Sequence, residues 1–280
     1  MIKNDFLKMN GYVTFNLKDY DADLYDKFIK NSYINSVREL ASEFNEYRIS
    51  CKSVLSPEEL TSKFSKFSFK DVITGINITN NSIAQNGGYT YDLTFEFAPH
   101  YADIQEIYRY CVLIENMLLY DNYQSWFQIN RGEIEDETDI RIKNRLNLIK
   151  ELDEKIISDF YDVDVTPYFS DGNWNVQQTY FPKGTFIKEH NDGYNPGRLC
   201  AILYYLSEDW KPGYGGELSI KNSQVVVPPI TGNVVILDFT EHNVSHAVNE
   251  VVEEFGRFTY LTFFEIKNKN NSEKFEETII

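Results

Sequence analysis

Residues 186–210 read FIKEHNDGYNPGRLCAILYYLSEDW, and this stretch decides how the rest of the chain is interpreted. It places His190, one of only four histidines in the chain, two residues before Asp192 and shortly before a strongly apolar run. Side chains at positions i and i+2 of a strand point to the same face of a sheet. If the strand continues to Asp192, an imidazole and a carboxylate reach one point in space, which is how a metal site begins.

The bulk composition limits the classes of function to consider. Hydrophobic residues make up 42% of the 280 residues and aromatic residues 15%, which predicts a packed core. The formal net charge of −16 argues against a nucleic-acid partner and against an anionic membrane. Cys51, Cys111 and Cys200 show no disulfide pattern, and the first residues show no signal-peptide apolar segment. We therefore predict a cytoplasmic protein, and the sequence leaves its oligomeric state open.

The first part of the chain mixes helix and strand signals. Ser56, Pro57 and Glu59 have the spacing of a capping box with proline at the first helical position. The strict alternation of hydrophobic and polar residues over 89–97 predicts a strand. We predict that residues 1–165 form a mixed region that buttresses the remainder, with N-terminal helices packed on one sheet.

The pattern changes near residue 170, where apolar segments become short and are separated by turn residues. Eight strands are predicted, at 174–181, 186–192, 199–206, 217–220, 225–227, 233–239, 244–249 and 257–265. Eight short strands with turns between them are typical of a double-sheet jelly roll. We therefore predict an α+β, mainly β protein whose double-stranded β-helix core spans 166–267, followed by a polar flexible tail at 268–280.

A facial metal site needs two histidines and one carboxylate. His190 and Asp192 supply two of these ligands, and His242 and His246 are the candidates for the third. We favour His246 because it starts a strand-like segment, whereas His242 lies in the preceding loop. His100 is far from the others in the chain and near a helix start, so it is discounted. A histidine–aspartate pair alone is a weak signal, because most histidines are ordinary surface or core residues.

The strand GRFTYLTFF (256–264) supplies a further candidate. Arg257, Thr259 and Leu261 share one face of this strand, so the guanidinium points into the sheet interior. A buried arginine needs an anionic partner, and its planar fork suits a carboxylate. That carboxylate could belong to the protein or to a ligand.

Taken together, the segments resemble the Fe(II)/2-oxoglutarate-dependent dioxygenases of the prolyl hydroxylase type. The resemblance runs from about Trp174 to Glu265, about a third of the chain. GRLCAILYYLSEDW is similar to a segment of the hypoxia-sensing prolyl hydroxylases, and the Gly215-Gly216 turn follows it as it does there. The other matching pieces are TYFPKGTFIKEHND, GGELSI, VVVPPITGNVVILDF, SHAV and GRFTYLTFF.

This resemblance implies an oxidoreductase that uses Fe(II), 2-oxoglutarate and O₂, with ascorbate as an additional reductant. It implies that the iron is bound by His190, Asp192 and His246, and that Arg257 acts with them by binding the distal carboxylate of 2-oxoglutarate.

Three further cosubstrate contacts follow from the same resemblance. Tyr180 matches a tyrosine that hydrogen-bonds 2-oxoglutarate, Tyr205 matches one that assists the arginine, and Thr259 adds a hydroxyl near the carboxylate. Without the resemblance, both tyrosines would be interpreted as amphipathic core aromatics.

The implied reaction is hydroxylation of an unactivated C–H, with release of succinate and CO₂. We expect the substrate to be a prolyl residue of a protein or peptide. Two alternatives stay open: hydroxylation of a free amino acid or other small molecule, and a non-catalytic jelly-roll module with an idle metal site. Asp192 favours hydroxylation, because relatives that halogenate replace this carboxylate.

Overall fold

The computed structural model describes residues 7, 9–32, 46–64, 73–83, 88–97, 124–131, 140–162, 164–169, 173–192, 197–240, 242 and 244–265. The strands are β1 (Tyr12–Asn16), β2 (Glu46–Ser53), β3 (Ile73–Ile83), β4 (Tyr89–Phe97), β5 (Gln124–Arg131), β6 (Trp174–Phe181), β7 (Ile187–His190), β8 (Arg198–Tyr205), β9 (Leu218–Ile220), β10 (Val225–Val227), β11 (Asn233–Asp238), β12 (His246–Val248) and β13 (Arg257–Glu265). The helices are α1 (Leu17–Tyr20), α2 (Ala22–Ser32), α3 (Pro57–Phe64) and α4 (Ile140–Phe160). His100, Cys111 and the predicted tail lie outside the described residues.

Two antiparallel sheets form the body of the protein. The large sheet has the order β1-β11-β8-β13-β6-β5-β2-β4-β3, and the small sheet has the order β10-β9-β12-β7. Apolar side chains from both sheets meet in a shared interior, among them Leu203 and Val235 of the large sheet and Leu218 and Val248 of the small one. This double-sheet arrangement confirms the predicted mainly β, jelly-roll fold class.

The opposite face of the large sheet is covered by α2 and α4. Ile149, Leu152 and Ile156 of α4 share a buried cluster with Val176 and Ile202 of the sheet. The apolar stripe of α4 therefore faces the sheet, as its helical spacing requires. Both faces of the central strands are consequently buried.

A fully buried carboxylate sits in this helix–sheet layer. Asp153 of α4 accepts hydrogen bonds from Trp174 Nε1 (2.8 Å), Tyr204 Oη (2.6 Å) and Thr262 Oγ1 (3.2 Å), which belong to β6, β8 and β13. Burial raises its pKa to about 7, although the three hydrogen bonds act in the opposite direction. Asp153 thus joins one helix to three adjacent strands.

The N-terminal residues contribute strands as well as helices. β1 pairs with β11 at one end of the large sheet, while β5, β2, β4 and β3 extend it beyond β6. The predicted helical layer is therefore only part of the N-terminal structure, because five of the described strands before residue 165 join the large sheet itself. The division at residue 165 stays a prediction. No helix in the described ranges has the length and apolar character needed to cross a membrane.

Candidate active site

Strand pairing in the small sheet brings two histidines together. β7 ends at His190, β12 begins at His246, and antiparallel register places these residues opposite each other with ring centroids 4.3 Å apart. Asp192 follows β7 and turns its carboxylate toward both rings. Its Oδ1 lies 3.6 Å from His190 Nε2, and its Oδ2 lies 3.6 Å from His246 Nε2. One ligand atom from each of the three residues falls within 4.8 Å of the others.

Backbone carbonyls fix which nitrogen of each imidazole faces the carboxylate. His190 Nδ1 lies 2.8 Å from the carbonyl of Lys188, and His246 Nδ1 lies 3.1 Å from the carbonyl of Val244. A carbonyl can only accept, so each Nδ1 carries a proton and donates it. In the neutral rings each Nε2 therefore presents a lone pair. Burial, and after it the neighbouring His190, lower the pKa of His246, which favours the neutral form that binds metals.

This geometry fits a cation. Two Nε2 lone pairs and a carboxylate converge on one point. Without a cation, three hydrogen-bond acceptors face one another with no donor between them. A divalent metal would satisfy all three groups at once. Two imidazoles and one carboxylate on one side of a metal, with open positions on the other, are the donor set of non-haem Fe(II) oxygenases.

Arg257 lies in the shared interior and is only 1% exposed. Its Nε donates to the carbonyl of Gly216 at 2.6 Å, and its guanidinium lies over the rings of Phe181 (4.4 Å) and Tyr205 (5.5 Å). Burial lowers the pKa of this arginine. Among the described residues, its buried Nη2 has no hydrogen-bond partner.

The hydroxyl of Tyr205 is a second buried donor that lacks an acceptor in the described part of the chain. Burial raises the pKa of this tyrosine to about 12, so the hydroxyl keeps its proton. A protonated hydroxyl and a guanidinium close to each other suit an anionic oxygen ligand. Arg257 and Tyr205 therefore suit the distal carboxylate of 2-oxoglutarate, because both can donate hydrogen bonds to it.

A cavity of about 910 Å³ connects these groups. His190, Asp192, His246, Arg257 and Thr259 all line it. The Thr259 hydroxyl shares a hydrogen bond with that of Thr179 across the β13–β6 pair. The cavity therefore contains both the candidate metal ligands and the candidate anion site.

Tyr180 is not among the residues that line this cavity, and its contact with 2-oxoglutarate stays a prediction. Its ring stacks on Phe258 at 4.7 Å, and its hydroxyl donates to Glu254 Oε1 at 3.3 Å. The neighbouring residues Thr179 and Phe181 line the cavity instead. Because side chains alternate along β6, Tyr180 points to the other face of the sheet. The ring of Phe181 is the one that lies 4.4 Å from the guanidinium of Arg257.

His242 lies apart from the triad. His242 packs against the start of β1, where a Cβ on Gly11 would lie 2.5 Å from the Cβ of His242. It is not part of the three-residue cluster. His246, which the sequence favoured, is the histidine that joins His190 and Asp192, and His100 is outside the described residues.

Arg198 is a cavity residue that sequence reasoning missed. Its Nη1 donates to the main-chain carbonyl of Asp192 at 2.7 Å, and its Nη2 pairs with Glu265 Oε2 at 3.3 Å. The guanidinium also lies 4.6 Å from the ring centroid of Phe263. Arg198 thus holds the segment that carries the metal-facing carboxylate. An arginine opening the apolar run LCAILYYL was a usable signal, of the kind that identified Arg257.

Fold and site together define a class: a double-sheet β protein with a facial two-histidine, one-carboxylate centre and a buried arginine beside it, as in non-haem iron oxygenases. Residues 176–265 match the family model described as the 2OG-Fe(II) oxygenase superfamily. The match covers 90 of the 280 residues, and proteins of that superfamily use Fe(II), 2-oxoglutarate and O₂.

Solved structures that resemble the chain are distant from it. A prolyl-4-hydroxylase from Pseudomonas putida is 15% identical, with 95% of this chain and 98% of that chain covered and a TM-score of 0.45. A Trichoplax adhaerens prolyl hydroxylase, solved with a hypoxia inducible factor oxygen degradation domain peptide, is 12% identical, with 99% and 91% covered and a TM-score of 0.47. The viral collagen prolyl hydroxylase of Paramecium Bursaria Chlorella virus-1 is 15% identical, with 51% and 80% covered and a TM-score of 0.40. Among curated proteins, no sequence matches this chain.

Proposed function

We propose that this protein is an Fe(II)- and 2-oxoglutarate-dependent dioxygenase that hydroxylates an unactivated C–H, with a prolyl residue of a protein or peptide as substrate. One observation carries the proposal. His190, Asp192 and His246 converge on the same cavity that holds Nη2 of Arg257, which lacks a hydrogen-bond partner among the described residues.

The roles of the side chains follow from their geometry. His190, Asp192 and His246 would hold the iron through two imidazole nitrogens and one carboxylate oxygen. Bound iron, with 2-oxoglutarate and O₂, supplies the oxidation that converts C–H to C–OH and releases succinate and CO₂. Arg257 and Tyr205 would donate hydrogen bonds to the distal carboxylate of 2-oxoglutarate, which fixes the orientation of the cosubstrate.

The end of the cavity that would hold the distal carboxylate of 2-oxoglutarate is shielded from water. Arg257 and Tyr205 are buried. Leu218 and Val248 line the cavity and belong to the small sheet, which also carries the two histidines. In such an environment hydrogen bonds to a charged ligand are stronger than in water. Apolar walls also suit the hydrocarbon part of a substrate.

The prolyl specificity is supported by the segment GRLCAILYYLSEDW and the following Gly215-Gly216 turn, which resemble the hypoxia-sensing prolyl hydroxylases. Both glycines have positive φ, and a Cβ on Gly216 would lie 2.9 Å from Cδ of Arg257. The turn therefore has a local function in this chain, since it leaves room for the arginine. On its cysteine usage we place the protein in the cytoplasm. The use of ascorbate stays a prediction.

A succinate-release screen tests the proposal. Purified protein with Fe(II), 2-oxoglutarate and O₂ is supplied with proline-containing peptides or with free amino acids, and products are checked by mass spectrometry for one added oxygen atom. Asp192→Ala is the matched control, because it removes one candidate ligand.

Each outcome of the screen selects one function. Turnover of peptides supports the proposal, and turnover of free amino acids alone replaces it with a small-molecule hydroxylase. Anaerobic addition of Fe(II) and 2-oxoglutarate should give a visible charge-transfer absorption band. If that band and succinate release are both absent, the protein is a non-catalytic module with an idle site.

A further inference from the structure

The cavity continues past the metal-facing residues onto the N-terminal strands. Arg48 and Ser50 of β2 and Thr90 and Asp92 of β4 line it together with the triad. We call these four residues the polar wing. At about 910 Å³ the cavity is near the upper end of the roughly 300–1,000 Å³ usual for ligand sites. A dicarboxylic acid and a single amino acid leave much of this volume unused.

Strand order gives the distance between the part of the cavity that β6 lines and the far strand of the polar wing. β6 and β4 are separated by β5 and β2 in the large sheet. Three strand spacings amount to about 14 Å. An extended peptide advances about 3.3 Å per residue, so about four residues cover this distance.

The lining changes in character along the same path. The small sheet, which carries the histidines, contributes the apolar residues Ile187, Leu218 and Val248. Apart from Phe181, β6 and the polar wing contribute side chains that form hydrogen bonds, namely Asn175, Gln177, Thr179, Arg48, Ser50, Thr90 and Asp92. A matching substrate has an apolar reacting group at the metal and a polar chain leading away from it. Main-chain amides and carbonyls have this polar character at every residue of a peptide.

The carboxylate of Asp92 is held in place for such a contact. Antiparallel register sets Ser50 opposite Asp92, and the Ser50 hydroxyl donates to Asp92 Oδ1. This hydrogen bond limits the rotation of a carboxylate that faces the cavity. A carboxylate oriented in advance can accept from a backbone N–H with little further loss of entropy.

We propose that the polar wing is a substrate subsite that binds the main chain of an extended peptide at residues that flank the one that reacts. This inference rests on the proposed hydroxylase function and assigns recognition of the flanking chain to strands β2 and β4. Asp92 accepts from the peptide, and Ser50 orients it.

A comparison of peptide lengths tests the subsite. The probes are pooled peptides of roughly eleven residues with one central proline, and the matching peptides of roughly three residues. The quantity measured is the ratio of kcat/KM for the long peptides to kcat/KM for the short ones. In the wild type this ratio should exceed one. Asp92→Asn should lower it about tenfold, because a hydrogen bond to a charged acceptor becomes one to a neutral acceptor.

Glu96→Gln is the matched control, since it makes the same chemical change on the same face of β4 but outside the cavity lining. It should leave the ratio unchanged. Thr90→Val, with Thr94→Val as its control, repeats the comparison if Asp92→Asn fails to fold. Equal kcat/KM values for long and short peptides, or equal ratios in Asp92→Asn and Glu96→Gln, would overturn the subsite.

The failure of this inference can be told apart from failure of the proposed function. The charge-transfer band formed with Fe(II) and 2-oxoglutarate is recorded on the same preparations. A normal band without any length preference overturns the subsite alone. Absence of the band in the wild type overturns the hydroxylase function and this inference with it.

Discussion

Replacing Arg257 with methionine should leave the ligand-free protein at least as stable as the wild type, while removing most of its affinity for 2-oxoglutarate. The guanidinium is buried, donates from Nε to Gly216, and has no partner for Nη2 among the described residues. A buried charge without an anion is unfavourable. Methionine is unbranched and flexible, so it can fill the same space without the charge.

Two opposing effects determine the change in stability. Loss of the hydrogen bond from Nε to the Gly216 carbonyl, 2.6 Å long, costs roughly 1.5–3 kcal/mol because the donor is charged. Removing this ion, which the charge of Glu217 compensates only in part, returns several kcal/mol, since that is the usual penalty for burying one. The free energy of unfolding of the ligand-free variant should therefore be unchanged or about 1–3 kcal/mol higher.

The change in binding has the opposite sign. Truncating one partner of a buried, hydrogen-bonded charge pair costs about 2–5 kcal/mol of binding free energy. The dissociation constant of 2-oxoglutarate should therefore rise by a factor of about thirty to several thousand.

Calorimetric titration under anaerobic conditions gives the affinity, and thermal unfolding with and without 2-oxoglutarate gives the stability. The ligand should raise the melting temperature of the wild type but not that of the variant. Unchanged affinity in Arg257→Met would show that the anion binds elsewhere. A loss of more than about 3 kcal/mol in the ligand-free variant would show that the guanidinium is already paired in the free protein.

Three further predictions concern the metal ligands, the glycine turn and the buried aspartate. His246→Ala should reduce Fe(II) binding by more than the roughly 10–100-fold that losses of outer-shell partners cause, while His242→Ala should keep the iron; metal content after dialysis decides, and equal retention would exclude His246 as a ligand. Gly216 has a φ of +76°, and an added Cβ would lie 2.9 Å from Cδ of the buried arginine. Gly216→Ala should therefore weaken 2-oxoglutarate binding by about tenfold or more. Gly213→Ala is its control, because φ is +93° there but nothing lies within 4 Å of the added Cβ; similar affinities in both variants would show that contact with the arginine is irrelevant. Asp153 has a pKa of about 7 in the folded protein, so between about pH 4 and pH 7 the native state keeps a proton that the unfolded chain has released. Stability from this group should therefore fall by up to about 4 kcal/mol as the pH rises through that window, and Asp153→Asn should remove the slope in urea unfolding curves; a slope that persists in the variant would place its origin in another group.

The C-terminal strands were predictable because turn residues delimit them. The predicted strands 174–181, 225–227 and 257–265 coincide with β6, β10 and β13. The capping box was equally readable, since Glu59 N–H donates to Ser56 Oγ and Ser56 N–H donates to Glu59 Oε2. In both cases the information is local to a few adjacent residues.

The face of β6 that lines the cavity was not predictable. Thr179, Tyr180 and Phe181 are all buried, because helices cover one side of the large sheet and the small sheet covers the other. Alternation between polar and apolar residues is lost in a strand that is buried on both faces. The sequence alone therefore does not show which of Tyr180 and Phe181 faces the cavity.

The polar wing depends on pairing over long distances in the sequence. Ser50 reaches the cavity only because β2 pairs with β4 and β5, and β5 pairs with β6. A short segment such as EYRISCKS does not determine its own neighbours, since register is set by the whole sheet. The three metal-facing residues were easier to identify, because His190 and Asp192 are only two positions apart in the sequence.

The pairing of β1 with β11 has a consequence for biosynthesis. Asn16 and Asn233 form a hydrogen bond although they are 217 positions apart. β1 ends the large sheet next to β11, so it must wait without this partner until the ribosome has released residues 233–238. Contacts of such high sequence separation slow folding and leave an open strand edge exposed to association. Newly made chains should accordingly depend on protection by chaperones until the C-terminal strands emerge.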